Sequence, residues 1–391
     1  MASNGIRDRV AIVGMGCTAF GEHWDKGPQD LLIESAGEAY RSAQVDPDRV
    51  DAYWLGTMGS GLSGLVLSEP LKLQYKPVTH VENFCATGSE ALRNACYAVA
   101  SGAYDLVMAI GVEKLKDSGY SGLVVAPPAN DGCEPALTAP ATFSFLAPAY
   151  MKKYGLDEAT LKEVLSRIAW KNHRNGARNP KAQFRKEVPM DAIKASPKVA
   201  GMLGIMDCSG VSDGSAAAIV CRAEDAHRYT DHPIFVKALS FVAGPAEGPM
   251  KQDYDFTTFP EVVASAQDAY KQAGVADPRN EISMAEVHDC FTPTELVLME
   301  DLGFSPRGQA WKDVLDGRFD GDGPQPVNPD GGLKSFGHPI GASGLRMMYE
   351  MWLQLRGEAG PRQIQSPRLG LTHNLGGAPG RCVSFVSIVG K

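Results

Sequence analysis

Short apolar runs alternate with helical patterns along almost the whole chain, and this alternation constrains the fold more than any other feature. The runs are apolar on both faces, which is typical of strands buried between helices. We predict strands at 10–14, 106–111, 216–220, 234–242 and 383–389. We predict helices at 31–43, 86–100, 161–175, 262–273 and 343–355. The pattern therefore predicts an α/β fold in which helices cover a sheet.

The chain also contains an internal repeat. Six residues in and just after the first predicted helix recur 230 positions later: Ser35, Ala36, Ala39, Tyr40, Ala43 and Val45 match Ser265, Ala266, Ala269, Tyr270, Ala273 and Val275. A second match, at a shift of 253, pairs Gly88, Leu92 and Arg93 with Gly341, Leu345 and Arg346. Small residues recur in packed helices by chance, but two matches in the same order favour a duplicated architecture.

The two halves differ in length because the first contains a long insertion. We predict a first half at 1–112 and 208–230, an inserted loop domain at 113–207 and a second half at 231–391. An insertion of this length in one copy is more often a functional lobe than a linker.

Composition excludes several classes of protein. The formal net charge is −8, which opposes binding to nucleic acid or anionic membranes. No apolar stretch approaches the roughly 20 residues of a membrane span, and the N-terminus lacks a signal-peptide pattern. None of the eight cysteines has a partner at zinc-finger spacing, so we expect free thiols, no metal and a cytoplasmic location.

Glycine is in excess, with 42 residues, against about 7% in average proteins. Gly59, Gly61 and Gly64 match a dinucleotide fingerprint formally, but Pro70 shortens any helix that follows them. We therefore expect no bound nucleotide cofactor there. Dense glycine elsewhere indicates sharp turns or close contact with a ligand.

Cys85 is the first candidate for chemistry, because it directly precedes a predicted helix. Unpaired N–H groups and the positive end of the helix dipole stabilise a thiolate at such a position. The alternative is a small buried side chain, which is what most cysteines are.

His338 is the second candidate. Glycines surround it at 331, 332, 337, 341 and 344. A loop with so many backbone amides and so little side-chain bulk suits close contact with a substrate carbonyl. The alternative is a tight turn with an incidental histidine.

Two further segments each follow an apolar run that we predict as a strand, the first of them at 282–287. His288 and Cys290 lie where open α/β sheets place their ligand sites, and they could serve as oxyanion donor and acid/base. The alternative is a capping Asp289 beside a buried cysteine. The glycine loop at 373–380 could supply N–H donors to an oxyanion.

Together these four segments resemble the thiolase family, and the resemblance runs from Val10 to Val389. The His-Asp-Cys-Phe segment is similar to the branch that includes sterol-carrier-linked thiolases and archaeal acetoacetyl-CoA thiolases. The resemblance implies a thiolase fold: two similar halves in a five-layered αβαβα arrangement with an inserted loop domain. It also implies a homodimer or homotetramer, and it allows a small zinc-ribbon/OB-fold protein as partner.

The resemblance implies roles for individual residues. Cys85 would be the acylated nucleophile, and His338 would deprotonate it. His288 and His338 would bind the thioester oxygen of the carbon nucleophile, and the backbone N–H groups of Cys85 and Gly376 would form the second oxyanion hole. Most thiolases carry their acid/base cysteine in a final Cys-x-Gly. This chain has Asn374 there, so the role falls to Cys290.

A basic run supplies an independent clue. Seven basic residues and no acidic one occur at 164–186. Arg167, Lys171, Arg174 and Arg178 have helical spacing, so we predict that they bind the phosphates of coenzyme A. The alternative is a solvated surface.

These observations predict a thiolase that acts on CoA thioesters, with acetoacetyl-CoA as the default substrate and no further cofactor. Three alternatives stay open: a retro-aldolase, a decarboxylating ketoacyl synthase, and a non-catalytic subunit that binds acyl-CoA. Cys85 opposes the first, since such relatives tend to lack the nucleophile. Cys290 opposes the second.

Overall fold

The computed structural model describes residues 4–117, 138–248 and 251–391. Strands and helices alternate through these residues. The strands are β1 (Val10–Cys17), β2 (Ala52–Gly56), β3 (Val78–Val81), β4 (Leu106–Glu113), β5 (Lys198–Ala200), β6 (Leu203–Gly204), β7 (Gly214–Arg222), β8 (Ile234–Ala243), β9 (Met284–Glu286), β10 (Leu369–Ala378) and β11 (Arg381–Gly390). The helices are α1 (Pro28–Ala43), α2 (Leu65–Ser68), α3 (Thr87–Ala100), α4 (Ala139–Phe143), α5 (Leu146–Tyr154), α6 (Glu158–Gly176), α7 (Met190–Lys194), α8 (Pro260–Ala273), α9 (Pro278–Glu281), α10 (Thr292–Asp301), α11 (Ala310–Leu315), α12 (Gly332–Ser335) and α13 (Ser343–Arg356).

Nine of the strands form one mixed sheet whose order is β3-β2-β4-β7-β1-β8-β11-β10-β9. The first five belong to the first half of the chain and the last four to the second half. The halves meet at a short antiparallel contact between β1 and β8, in which Ala11 pairs with Phe235 and Ile12 with Ile234. From this contact outward the two halves have the same order of strands. A parallel bridge from Ala285 in β9 to Val327 lies where β3 lies in the first half.

The duplication extends to single hydrogen bonds. In the first half, the Ser35 hydroxyl of α1 lies 2.7 Å from the Ser215 hydroxyl of β7. In the second half, the Ser265 hydroxyl of α8 lies 2.7 Å from the Ser384 hydroxyl of β11. Ser35 and Ser265 are a pair in the sequence repeat, so the repeat reflects equivalent positions in the two halves.

Three apolar cores separate the layers. The first lies between α1 and the outer face of the first half's strands. The second surrounds α3 and α13, which pack against each other and against strands of both halves. The third joins the outer face of the second half to α8, α10 and the helices of the inserted region. Helices therefore lie outside each half of the sheet and between the halves, which confirms the predicted α/β fold with two similar halves.

The first five strands and five helices predicted from periodicity are all present. Most of their ends extend by a few residues, although α3 begins one residue later than predicted. The apolar run at 282–287 forms only the three-residue β9. Residues 118–137 of the predicted inserted loop domain, and with them Cys133, lie outside the described residues. The segment boundaries at 112, 207 and 230 stay a prediction. None of the described helices is both long and apolar enough to cross a membrane.

Candidate active site

Cys85 lies in a tight turn between β3 and α3. Phe84 has a left-handed φ of 49°, and the backbone N–H of Asn83 donates to Thr87 Oγ1 over 2.8 Å. The turn therefore fixes the thiol just before the first turn of α3. Burial raises the pKa of the Cys85 thiol to about 12, although its own backbone N–H acts in the opposite direction. Cys85 is thus a neutral thiol at pH 7 and needs a base before it attacks.

His338 is held from two sides. Its backbone N–H donates to Ser212 Oγ over 3.1 Å, and its Nδ1 lies 2.7 Å from Ser343 Oγ. Its Nε2 is buried and has no hydrogen-bond partner among the described residues. Burial, and then the charge of Arg346, lowers the pKa of His338 to about 3. The imidazole is therefore neutral, and its Nε2 is ready to exchange a proton.

Three glycines of the first half allow the His338 loop of the second half to approach the Cys85 turn closely. A Cβ at Gly56, Gly88 or Gly111 would lie 3.3, 2.7 or 2.0 Å from the carbonyl oxygen of Gly341. The buried Glu113 carboxylate also accepts the N–H of Gly341 over 3.1 Å. The loop thus enters the first half because no side chain occupies its path.

His288 and Cys290 follow the short strand β9. The two imidazoles of His288 and His338 are edge to face, with ring centroids 5.4 Å apart. Burial, and then the neighbouring His338, lowers the pKa of His288 well below its usual value. Burial, and then the charge of a Cys85 thiolate, raises the pKa of Cys290 well above its usual value. Asn374, which replaces the cysteine of most thiolases, places its Nδ2 3.5 Å from His288 Nδ1.

These groups from both halves line one small cavity. Cys85 Sγ and ring nitrogens of His288 and His338 lie within 4.8 Å of one another. Cys290 lines the same cavity, which has a volume of about 60 Å³. Most of the remaining wall is apolar: Met58, Phe84, Ala139, Phe143, Phe291 and Ile340.

Cys85, His288 and His338 are also the one group among the described residues whose donor atoms lie close enough to hold a metal ion. A thiol and two neutral imidazoles are equally the set that acyl transfer requires: a nucleophile, a base and a hydrogen-bond donor. The chemistry of the set therefore does not require an ion.

Gly376 packs against the Cys85 turn. A Cβ at this position would lie 2.4 Å from the carbonyl oxygen of Asn83 and 3.2 Å from Phe84 Cβ. Only glycine lets the backbone of β10 come this close. The neighbouring Gly377 lines the cavity itself.

A buried polar network supports the histidine and cysteine that follow β9. Asp289 accepts the backbone N–H groups of Leu333 and Lys334 over 2.6 and 3.1 Å. Asn172 Nδ2 donates over 2.8 Å both to Asp289 and to Glu295. Burial, and then the nearby Glu295, raises the pKa of Asp289 to about 7. The network joins α6, α10 and α12 beneath the cavity.

None of the four predicted phosphate contacts is among the described residues that line this cavity. Lys171 is buried, and its ammonium donates to Glu295 over 2.6 Å and to the carbonyl of Val327 over 2.8 Å. We therefore correct its assignment: Lys171 belongs to the buried network and does not face a coenzyme.

The other three cations lie nearer the surface. Arg167 forms an ion pair with Asp320, and Arg174 lies 3.7 Å from Asp322. Arg178 forms no side-chain ion pair with a described residue and lines a separate cavity of about 600 Å³.

Several supporting residues escape sequence analysis. Ser343, Glu113 and Glu295 have no motif of their own. The partners of Glu113 and Glu295 are distant in the chain, whereas Ser343 lies only five residues from His338. One weak signal exists: Glu295 is charged within a helix that is buried on all sides, and a buried carboxylate requires partners.

Comparison with known proteins places this site in a family. Family models match residues 10–202, as "Thiolase, N-terminal domain", and residues 246–389, as "Thiolase C-terminal domain-like". An "Acetyl-CoA acetyltransferase" of Methanothermobacter thermautotrophicus is 38% identical over 96% of this chain and 98% of that protein. "Sterol carrier protein 2" of Bos taurus is 33% identical over 95% of this chain and 70% of that protein.

A solved structure shares the fold. It is titled "Ltp2-ChsH2(DUF35) aldolase", has a TM-score of 0.83 and is 23% identical, with 98% of each chain covered. The family models, the full-length relatives and the fold agree, and the chain belongs to the thiolase family.

Proposed function

We propose that this protein is an acyltransferase of the thiolase type, which exchanges acyl groups between Cys85 and coenzyme A. The observation that carries the proposal is the 60 Å³ cavity in which Cys85, His288 and His338 lie within 4.8 Å of one another, beside Cys290. It holds a nucleophile, a base, an oxyanion donor and a second acid in one place. The reaction is reversible, as thiolytic cleavage of a 3-ketoacyl-CoA or as Claisen condensation.

In the cleavage direction the first step forms the acyl-enzyme. Cys85 Sγ attacks the C3 carbonyl carbon while its proton moves to His338 Nε2. The high pKa of the thiol and the low pKa of the imidazole oppose a separate ion pair, so proton transfer accompanies attack. We assign the backbone N–H groups of Cys85 and Gly376 to the oxyanion that forms on C3.

The second step breaks the C2–C3 bond. Its electron pair moves to C2, the enolate oxygen accepts hydrogen bonds from His288 and His338, and Cys290 gives its proton to C2. Acetyl-CoA then leaves. Free coenzyme A gives its thiol proton to the Cys290 thiolate and attacks the acyl group. Cys85 leaves as a thiolate and recovers its proton from His338, so that every group returns to its starting state.

The size of the cavity supports a short acyl group. A volume of about 60 Å³ is far below the roughly 300 to 1,000 Å³ of drug-sized ligand sites. An acetyl group fits this space, which favours acetoacetyl-CoA as substrate.

For coenzyme A itself, the proposal retains Arg178 with Arg167 and Arg174 as phosphate contacts. Arg178 is the strongest of the three because it forms no ion pair with a described residue, although Asp322 lines the same cavity. The thioester is the substrate, and no resident cofactor forms part of the proposal.

We also propose a homo-oligomer. Strand β3 ends the sheet and pairs only with β2 among the described strands. The chain that leads into β3 carries the exposed apolar side chains of Leu62, Leu65 and Tyr75, and α2, which begins at Leu65, contacts β3. An open edge beside exposed apolar residues favours pairing with another copy. A zinc-ribbon/OB-fold partner and the cytoplasmic location stay predictions.

The alternatives make different use of the same residues. A retro-aldolase has no need of an acylated Cys85, and a decarboxylating synthase has no need of Cys290. A non-catalytic subunit would bind acyl-CoA without accepting its acyl group.

Intact-protein mass spectrometry with acetyl-, butyryl- and octanoyl-CoA tests the proposal. We expect one acetyl group on the wild-type protein, little octanoyl, and none on Cys85→Ala. Cys208→Ala is the matched control, since Cys208 is also a partly exposed free thiol. Acetylation that persists in Cys85→Ala, or that never occurs in the wild type, would contradict the proposal.

A further inference from the structure

Asn374 lies behind the catalytic cavity, and no step of the proposed reaction uses its side chain. The residue is buried on β10 and is not among the described residues that line the cavity. Its amide contacts two buried side chains, Ser89 of α3 in the first half and His288 after β9 in the second half. The amide therefore links the two halves directly behind the imidazole of His288.

The short contact with Ser89 sets the orientation of the Asn374 amide. Ser89 Oγ lies 2.5 Å from the amide atom that faces it. This distance is within the range of about 2.5 to 3.0 Å for O–H···O hydrogen bonds and below the range of about 2.7 to 3.2 Å for N–H···O hydrogen bonds. The Ser89 hydroxyl therefore donates to Asn374 Oδ1, and Asn374 Nδ2 faces His288.

Asn374 Nδ2 and His288 Nδ1 are each other's partners. They lie 3.5 Å apart, and neither atom has another hydrogen bond to a residue that the structure describes. The distance is long for a hydrogen bond, and contacts of catalytic groups often shorten when substrate binds. Because an amide NH2 group can only donate, His288 Nδ1 must accept.

The acceptor role of Nδ1 determines where His288 carries its proton. Burial, and then the neighbouring His338, holds the pKa of His288 well below its usual value, so the ring is neutral. A neutral imidazole has one N–H donor and one acceptor nitrogen. Since Nδ1 accepts, the proton lies on Nε2, and the ring presents an N–H donor on the side opposite Asn374.

His338 is held in the opposite tautomer. The Ser343 hydroxyl donates to the carbonyl of Pro339 over 2.9 Å, so toward His338 Nδ1, 2.7 Å away, it can only accept. The proton of the neutral His338 ring therefore lies on Nδ1, and its Nε2 is free to accept the proton of Cys85. One imidazole of the cavity is thus prepared as a base and the other as a hydrogen-bond donor.

We propose that Asn374 is a positioning residue that holds His288 in the tautomer whose Nε2–H donates to the enolate oxygen. The inference rests on the proposed function and concerns only the step that breaks or forms the C2–C3 bond. Without the amide, the His288 ring can place its proton on Nδ1, and a lone pair of Nε2 then faces the enolate oxygen. Acylation of Cys85 uses backbone N–H groups and does not depend on this tautomer.

Two reactions of the full-length protein separate these steps. Exchange of the acetyl group between acetyl-CoA and isotope-labelled coenzyme A requires only the acylation of Cys85, whereas thiolytic cleavage of acetoacetyl-CoA also requires the enolate. Asn374→Leu replaces the amide with an apolar group of similar size. We expect kcat for cleavage to fall about tenfold with little change in KM, while acetyl exchange stays close to that of the wild type. Loss of a whole oxyanion donor costs about 100- to 1,000-fold, and a mixture of tautomers loses part of that.

Thr372→Val is the matched control. Thr372 is also buried on β10, and its hydroxyl lies 2.6 Å from Ser387 Oγ. The variant loses a buried hydrogen bond from the same strand without a contact to His288. Both of its rates should equal those of the wild type.

Nitrogen-15 NMR of the histidine-labelled wild type measures the tautomers directly. We expect protonated Nε2 and unprotonated Nδ1 in His288, and the reverse in His338, with the signals identified by their loss in His288→Asn and His338→Asn. This measurement also decides the case in which Asn374→Leu fails to fold. A protonated Nδ1 in His288, unchanged cleavage by Asn374→Leu, or an equal loss of cleavage and exchange would overturn the inference. If the wild type exchanges no acetyl group, the proposed function fails instead, and the tautomer is still measured.

Discussion

Replacing Lys171 with Met tests whether Lys171 contacts a phosphate of coenzyme A or stabilises the buried polar network. The Lys171 ammonium and the Glu295 carboxylate are both buried and 2.6 Å apart. Removing one partner of such a pair leaves an uncompensated charge and costs about 3 to 5 kcal/mol. The total free energy of unfolding is typically about 5 to 15 kcal/mol. We therefore expect Lys171→Met to lower the midpoint of urea unfolding sharply at fixed protein concentration, with the far-UV signal as readout.

Two further variants isolate the cause of the expected loss of stability. Arg174→Met removes a more exposed cation from the same helix, 3.7 Å from an exposed Asp322, and should change stability by less than about 1 kcal/mol. Lys171→Met/Glu295→Gln removes both charges and should recover part of the loss. If Lys171→Met unfolds like the wild type but raises KM for coenzyme A about tenfold, Lys171 faces the phosphates and our assignment is wrong.

Three further predictions concern the catalytic groups. Gly376→Ala brings a methyl group 2.4 Å from the Asn83 carbonyl and must move the Cys85 turn, so kcat should fall about 100-fold; a fall in KM alone would count against the oxyanion role. Ser343→Ala removes the hydroxyl that lies 2.7 Å from His338 Nδ1. We expect kcat to fall about tenfold while the melting temperature changes little. Unchanged kcat would show that Ser343 does not position the ring. Burial lowers the pKa of His338 to about 3 and raises that of Cys85 to about 12, so both groups stay neutral at intermediate pH. The single-turnover acylation rate should therefore be flat from about pH 6 to about pH 9. A transition near the ordinary histidine pKa would refute this.

The fold could be predicted from the sequence because its signals are local or repeated. The helical period of α1 and α8 follows from apolar residues that face the sheet, and the same serine recurs in both helices. The join between β1 and β8 could not be predicted, since it depends on two residue pairs that lie more than 200 positions apart.

The residues that meet in the catalytic cavity each carry a local signal, such as the position before a helix or the glycines around His338. The prediction of the phosphate contacts, in contrast, depended on the positive charge of the residues alone. Helical spacing places Lys171 near Arg167 and Arg174, but spacing does not say which packed element covers that face. The buried Glu295 of α10 holds the Lys171 ammonium in the interior, and Glu295 is 124 residues away from Lys171 in the chain.

The close contact of the Gly341 carbonyl with Gly56, Gly88 and Gly111 also limits how the two halves can move relative to each other. At this contact backbone meets backbone with no side chain between, whereas α3 and α13 pack through side chains elsewhere between the halves. Parting the halves would also break the hydrogen bond that the Gly341 N–H donates to the buried Glu113 carboxylate over 3.1 Å. Opening the joint as a hinge would thus separate His338 from Cys85 and cost several hydrogen bonds at once. We therefore expect substrate exchange to depend on the walls of the cavity, such as Phe84 and Phe143, and not on parting of the two halves.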